Sequence, residues 1–389
     1  MRKTTVALLL GFLVLACGQA PRTTPEKGDV VLFVGVGSAV TALDVQTHRA
    51  IAQLPRGVAS ADWKHYYVAS GQTLADYDPI SGQVTRTLSL PGDYTLPVVT
   101  ATGADGGLSA NGQYLVLEGP NDGSSHLLIV DTAFTKQPQR IDDLRGDFRF
   151  DAISNDAERL YLIQHTTGEH YYVRDYVLGA GLDPTIVFDK SDGAAAMSGL
   201  RLMGVPSPGG DTLFSVYARK SEGAFIHQLF LDQPIAICID LSGPGYGGDA
   251  RAMHWSLALS RDGGRLFAVN STLGVITRLD LQGGGSSTVP VDGGAMSASA
   301  GAALTPDGRH LIVAGNGVRW LDANSLHTTA TSLGDWTVSG TAPAPDGRSI
   351  YVLGGDGRVA QLDLSGKVLA TFDASPGYPG VLLGSGFFS

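Results

Sequence analysis

The residues best suited to chemistry sit in three short apolar contexts: Arg149 and Asp151 in DFRFDAIS, Arg201 in GLRLMG, and His254 with Trp255 in MHWSLALS. Two guanidinium groups can hold an anionic ligand, while a carboxylate and an imidazole can serve as acid and base. The competing reading is architectural: Arg and Asp pair across neighbouring elements, and the indole packs between them. Other constellations carry less. His165 and His170 flank Glu169 like zinc ligands, but their spacing in a hairpin turns the rings to opposite faces. Gly35-Val36-Gly37 lacks both the third glycine and the following helix of a dinucleotide loop, and reads as a hairpin turn. The sequence contains no G-x-S-x-G elbow, no H-E-x-x-H and no C-x-x-C-H.

The elements that must position these residues form a repeat. In LTPDGRHLIVAGNGVRWLD, at 304–322, Asp307-Gly308 reads as a corner, 311–314 as a strand, Asn316-Gly317 as a type I′ hairpin, and 318–321 as the return strand. One such hairpin cannot bury its own faces, so copies are required. Aligned on the middle of the first strand, they fall at Phe33, Tyr67, Val116, Tyr161, Phe214, Phe267, Ile312 and Tyr351, at intervals of 34 to 53 residues. Most copies follow the same kind of corner, Asp/Asn-Gly in four of them; Asp62 is followed by Trp63, and DAER and PGGD blur the corner in the fourth and fifth. A second strand ends in Asp nearly every time, as in Leu43-Asp44, Tyr77-Asp78 and Leu279-Asp280. These aspartates fall one per repeat position, which favours turn capping over a shared metal site.

Four short strands with tight turns occupy about 40 to 50 residues, which matches the interval and favours radial repetition over a sandwich. The expectation is an all-β chain folded as a single β-propeller over 30–389, with eight blades, seven being the alternative. In that arrangement the innermost strands line a central channel and precede each corner, which is where Arg149, Asp151, Arg201, His254 and Trp255 fall. The first copy lacks an inner strand, and 381–383 are expected to pair beside 31–34, so that both ends of the chain complete one sheet. Long insertions in a repeat array collect on one face, so 189–202 and 221–255 are the expected binding surface, with loops 221–225 and 244–249 mobile.

The segments LTPDGRHLIV, APDGRSIYVL, LSRDGGRLFAV and LDLSGKVLATF resemble the YVTN-type and WD-repeat-like β-propellers of bacterial secreted proteins. The resemblance covers almost everything after residue 30. It implies architecture and leaves activity open, since such propellers include enzymes, cofactor carriers and interaction platforms.

Residues 1–17 read as an export signal: Arg2 and Lys3, an apolar run of eleven, then V-L-A-C ending at Cys17, similar to a bacterial lipobox whose cysteine is acylated. Eleven residues are too few to span a ~30 Å hydrocarbon layer. The polar stretch 18–29 then serves as a tether. With Cys17 acylated, Cys238 has no disulfide partner and reads as a packing residue. The whole chain carries a net charge of −10, and removing the signal makes it about −12, which argues against nucleic acid as a partner.

Two function classes follow. One is a lipid-anchored, extracytoplasmic binding scaffold in the cell envelope, monomeric, without cofactor, presenting loops to a protein, peptide or envelope polymer. The other is a propeller enzyme, either a metal-dependent lactonase or a quinone-dependent dehydrogenase. The four tryptophans cannot supply the dehydrogenase family's docking motif in every blade, and Asp151 is the only channel carboxylate for a lactonase. Binding is therefore the expected function, and no residue is assigned a catalytic role.

Overall fold

A computed structural model describes residues 24–189, 195–374 and 380–388. The signal at 1–17, its Cys17 and residues 18–23 of the tether lie outside the described residues. The described chain is a single all-β propeller of antiparallel sheets. Seven sheets are present among the described residues, a correction to the eight blades expected. The difference lies at Thr328–Pro343, a strand long enough to pair first with His310–Asp322 and then with Ser349–Gly354. The copies around Ile312 and Tyr351 are thereby joined in one six-stranded sheet. Asn316-Gly317 differs from the hairpin reading as well. Gly317 takes φ 76° but Asn316 is not left-handed, so the turn is not type I′. Asn316 pairs with Thr337 and its side chain accepts from the Ser297 N–H at 2.9 Å, which draws it into the sheet.

The corners explain why each copy folds as it does. Ser60, Ser154, Ser260 and Thr305 each donate a hydroxyl hydrogen bond to the aspartate two residues on, at 2.6 to 2.7 Å. The same carboxylate caps a backbone N–H beyond it, as Asp262 does for Gly264 and Asp307 for Arg309. The next residue is left-handed: Gly112, Gly263, Gly308 and Gly347 have φ of 68 to 70°. Where sequence supplies no glycine the backbone keeps the shape, with Trp63 at φ 55° and Ala157 at φ 61°. The corner is therefore imposed by its hydrogen bonds and not by glycine alone.

Apolar layers lie between successive copies. Phe214, Val216 and Ile226 meet Trp255, Leu257 and Leu266, and Leu32 and Leu43 meet Tyr351, Leu353 and Val359 where the last copy faces the first. The first sheet runs Arg49–Pro55, Ala39–Asp44, Val30–Val36, Val381–Phe387, so the final strand occupies its inner edge. Val34 pairs with Leu382 and Gly35 with Val381, the pairing expected for the chain's ends.

Strand direction alternates across each sheet, so turns joining first to second strands share one face of the ring. Turns joining second to third strands, and the connections between sheets, share the other. Among the described residues the turn at 219–224 and the connections at 90–108 and 241–249 belong to this second face, while Phe225–Phe230 and Ala236–Asp240, expected to be insertion, are strands of the fifth sheet; residues 190–194 lie outside the described residues.

Candidate functional site: the channel wall between the fourth and fifth sheets

Asp151 lies on Phe148–Ile153, the inner strand of the fourth sheet, and Arg201 on Leu200–Pro206, the inner strand of the fifth. Both strands carry a register shift at this level: Phe150 and Ala152 pair with consecutive residues, leaving Asp151 as the extra residue, and a second shift falls between Arg201 and Met203. A bulge re-aims a side chain that would otherwise follow the pleat. Arg201 Nη1 donates to Asp151 Oδ1 at 2.8 Å and to the Asp151 carbonyl at 3.2 Å. The two side chains are 12% and 2% exposed, so this is a buried ion pair.

Behind the pair lies a polar layer that the sequence reading missed: Tyr171, Tyr217 and His227, all buried. Burial, with Asp151 next, pushes the Tyr217 hydroxyl far above its ordinary value. Burial likewise raises Tyr171 well above the usual range, and desolvation lowers His227 to about 4, so its imidazole is neutral at ordinary pH. Four atoms of this cluster, Asp151 Oδ2, Arg201 Nε, Tyr171 Oη and His227 Nε2, meet no hydrogen-bond partner among the described residues. The only sequence signal was a polar residue interrupting an apolar strand, as His227 does in FIHQLF, and that pattern also fits an outward-facing position.

The other expected site residues are not brought to this place. Arg149 is half-exposed and paired with Asp147 at 3.1 Å and Glu118 at 3.4 Å, turned toward the third sheet. His254 follows the short turn Ala250–Met253 and meets Thr272 Oγ1 through Nδ1 at 3.0 Å. Trp255 is buried in the layer between the fifth and sixth sheets. The acid and base candidates are thus separately engaged: Asp151 pairs with Arg201, His254 with Thr272, and the indole packs between sheets. No group of three His, Cys, Asp or Glu placed to hold a metal ion occurs among the described residues.

A hairpin crosses the channel above the pair. Val98 bridges Asp105, and the Val99 N–H donates to the Ala104 carbonyl at 2.9 Å. On one side Arg56 clamps Asp105 through Nε and Nη2, both at 2.7 Å, and reaches the Gly103 carbonyl. On the other, the Ala101 N–H donates to the Arg201 carbonyl at 2.8 Å. The hairpin belongs to the long connection between the second and third sheets, which the sequence showed only as an enlarged interval.

No family model matches this chain, and no curated protein matches it. Solved structures do. The chain is similar to dihydro-heme d1 dehydrogenase NirN in complex with DHE, with a TM-score of 0.58 and 17% identity, covering 96% of this chain and 78% of that one. It is similar to AztD from Citrobacter koseri, with a TM-score of 0.59 and 10% identity over 93% of this chain and 99% of that one. A eukaryotic initiation factor follows at 0.52 and 11%, over 93% and 98%. These neighbours are β-propellers. At such identities they establish the fold and nothing about activity.

Proposed function

We propose that this chain is a membrane-anchored binding propeller of the cell envelope, held outside the cytoplasm through an acylated Cys17, whose insertion-bearing face takes a protein, peptide or envelope polymer. It is a reading of the YVTN-like, extracytoplasmic kind suggested by the repeats and the V-L-A-C ending. The observation that carries it is the construction of that face. The segments around 219–224 and 241–249 are fastened to one another, the Tyr246 and Gly247 N–H groups donating to the Arg219 and Lys220 carbonyls at 2.9 Å. Lys220 also approaches Glu169 of the fourth sheet at 3.5 Å. A turn and a connection bonded to one another form a continuous surface, which suits recognition of a large partner. The separate engagement of Asp151 and His254 weighs against acid–base catalysis in the channel.

Two measurements test this. Cys17→Ser is expected to release the folded protein from the membrane pellet; retention after a carbonate wash would place the anchor elsewhere. Native mass spectrometry of protein drawn from its own membrane is expected to retain a polypeptide or polymer, lost when Lys220 and Glu222 are replaced by Ala. A bound quinone or calcium ion instead would overturn the scaffold reading in favour of an enzyme.

A further inference from the structure

The chain enters and leaves its ring at one place. Phe387 pairs with Val30, and the two ends are fastened there: the Gly28 N–H donates to the Phe388 carbonyl and the Phe388 N–H to the Asp29 carbonyl, both at 2.8 Å. The hold extends back to Glu26, whose N–H donates to Asp29 Oδ2 at 2.7 Å and whose carbonyl accepts from the Asp29 N–H at 3.0 Å. Val30 begins the second strand of the first sheet, and the turn at the far end of that strand, Gly37-Ser38, joins second to third strand. The entry point therefore lies on the face of the corners. The turn at 219–224 and the connections at 90–108 and 241–249 lie on the opposite face.

From this placement we infer that the anchored propeller stands with its corner face toward the bilayer and its insertion face turned away, so that the partner of the insertion face is soluble or reaches well beyond the lipid headgroups. The inference rests on anchorage through acylated Cys17, as proposed above, and adds to it an orientation and a class of partner. Its first reason is reach. Glu26 stands nine residues after Cys17, and a chain of nine residues spans at most about 32 Å when fully extended. Seating the insertion face on the lipid would demand more. The tether would have to leave the second strand, pass the two strands outside it, Ala39–Asp44 and Arg49–Pro55, and descend the height of the blade. Two strand spacings of ~4.8 Å and a strand height of ~17 to 20 Å already come to about 30 Å, before the insertions themselves are cleared. That leaves the chain no slack.

The relief of the two faces favours the same orientation. The corner turns, for example 154–158, 260–264 and 305–309, are short, and neighbouring corners are bonded: the Asn111 N–H donates to Asn155 Oδ1 and Asn155 Nδ2 to the Gly209 carbonyl, both at 2.9 Å. Such a face can approach a planar surface closely without displacing a loop. The longer segments are on the other side, where a partner can meet them.

The test uses the full acylated chain on phosphatidylcholine vesicles that carry a rhodamine-headgroup lipid as energy acceptor. A donor dye sits on a single introduced cysteine, with Cys238→Ser removing the native thiol. Arg309→Cys and Arg348→Cys put the dye on the corner face, Asp93→Cys and Glu222→Cys on the insertion face; all four native residues are exposed. Corner-face dyes are expected to transfer roughly threefold or more efficiently, since a strand height of ~17 to 20 Å separates the faces. About thirty Gly and Ser residues inserted between 23 and 24 make a tether long enough for either face, and the difference should then disappear. Melting temperatures matched to the unaltered protein confirm that each variant is folded. Equal transfer from both faces, greater transfer from the insertion face, or a difference that survives the long tether would each overturn the orientation while leaving anchorage intact. Failure of the unaltered chain to sediment with the vesicles would overturn the anchorage, and the orientation with it.

Discussion

At the residue scale the corners and the buried histidine are the clearest tests. Gly308 follows the Thr305-Pro306-Asp307 corner at φ 68°, and a methyl group added there would meet nothing within 4 Å. Gly308→Ala therefore isolates backbone strain from crowding, and its expected cost is about 1 to 2 kcal/mol. A lower melting temperature with unchanged binding is the expected readout; an unchanged melting temperature would mean that the hydrogen bonds alone set the corner.

His227 gives a pH dependence with a definite sign. Its folded-state value, about 4, lies under the ordinary 6.5 because burial penalises the imidazolium. The unfolded chain therefore takes up the proton first, and stability complete above pH 6.5 falls as pH drops toward 4. The loss is up to roughly 3 kcal/mol, each pH unit of separation counting about 1.4. The groups facing His227 are Asp151, Arg201 and Asp189. The corner carboxylates Asp62, Asp156, Asp262 and Asp307 lie below the usual carboxylate value, so their contributions fade only at more acidic pH. His126, raised by its hydrogen bond to Asp142, acts with the opposite sign as pH rises through and above 6.5. Chemical denaturation of His227→Gln across about pH 4 to 7 should show a flatter profile than the unaltered protein.

At the element scale, the crossing hairpin is held by one clamp that can be removed cleanly. Arg56 is half-exposed, so its pair with Asp105 contributes modestly to global stability, about 1 kcal/mol or less. Locally it fixes the hairpin over the channel. Arg56→Ala should accelerate hydrogen exchange at Ala101 and Ala104 while leaving the Arg265–Asn270 strand as slow as before. Uniform slowness at all these amides would show that the Ala101–Arg201 bond suffices. The insertion loops, expected to be mobile, are joined by the bonds from Tyr246 and Gly247 to Arg219 and Lys220. Their Gly- and Ser-rich composition indicated turns, and the partner carbonyls that hold those turns were far away in sequence.

At the scale of the whole molecule, ring closure rests on the final strand. Leu382 is buried against the layer joining first and last copies, and Gly384 and Gly386 allow Trp63 and Phe33 to approach closely. Val381 and Leu383, by contrast, are about half exposed, so the strand protects chiefly by covering Leu32, Phe33 and Val34. Uncovering those side chains costs several kcal/mol at about 1.5 to 3 each, comparable to an ordinary domain's net stability of ~5 to 15. Truncation before residue 380 should leave the protein aggregated or strongly destabilised. A monomeric truncation with the same melting temperature would refute closure by this strand.

The repeat, its corners and the closing strand were legible in the sequence because each rests on local chemistry: a hydroxyl and a carboxylate two residues apart, a residue able to turn left, an apolar strand to spare. The number of sheets was not, because continuity through Thr328–Pro343 depends on pairing with two different neighbours. Nor was the site. Asp151 and Arg201 could be picked out as channel residues, but a sequence separation of 50 hid that they neutralise each other. Tyr171, Tyr217 and His227 drew no notice, since a single polar residue in a strand is neither inside nor outside until the register of its neighbours is known. Sequence decided the blade; the packing of one blade on the next decided which charges meet and which polar atoms stay unpaired.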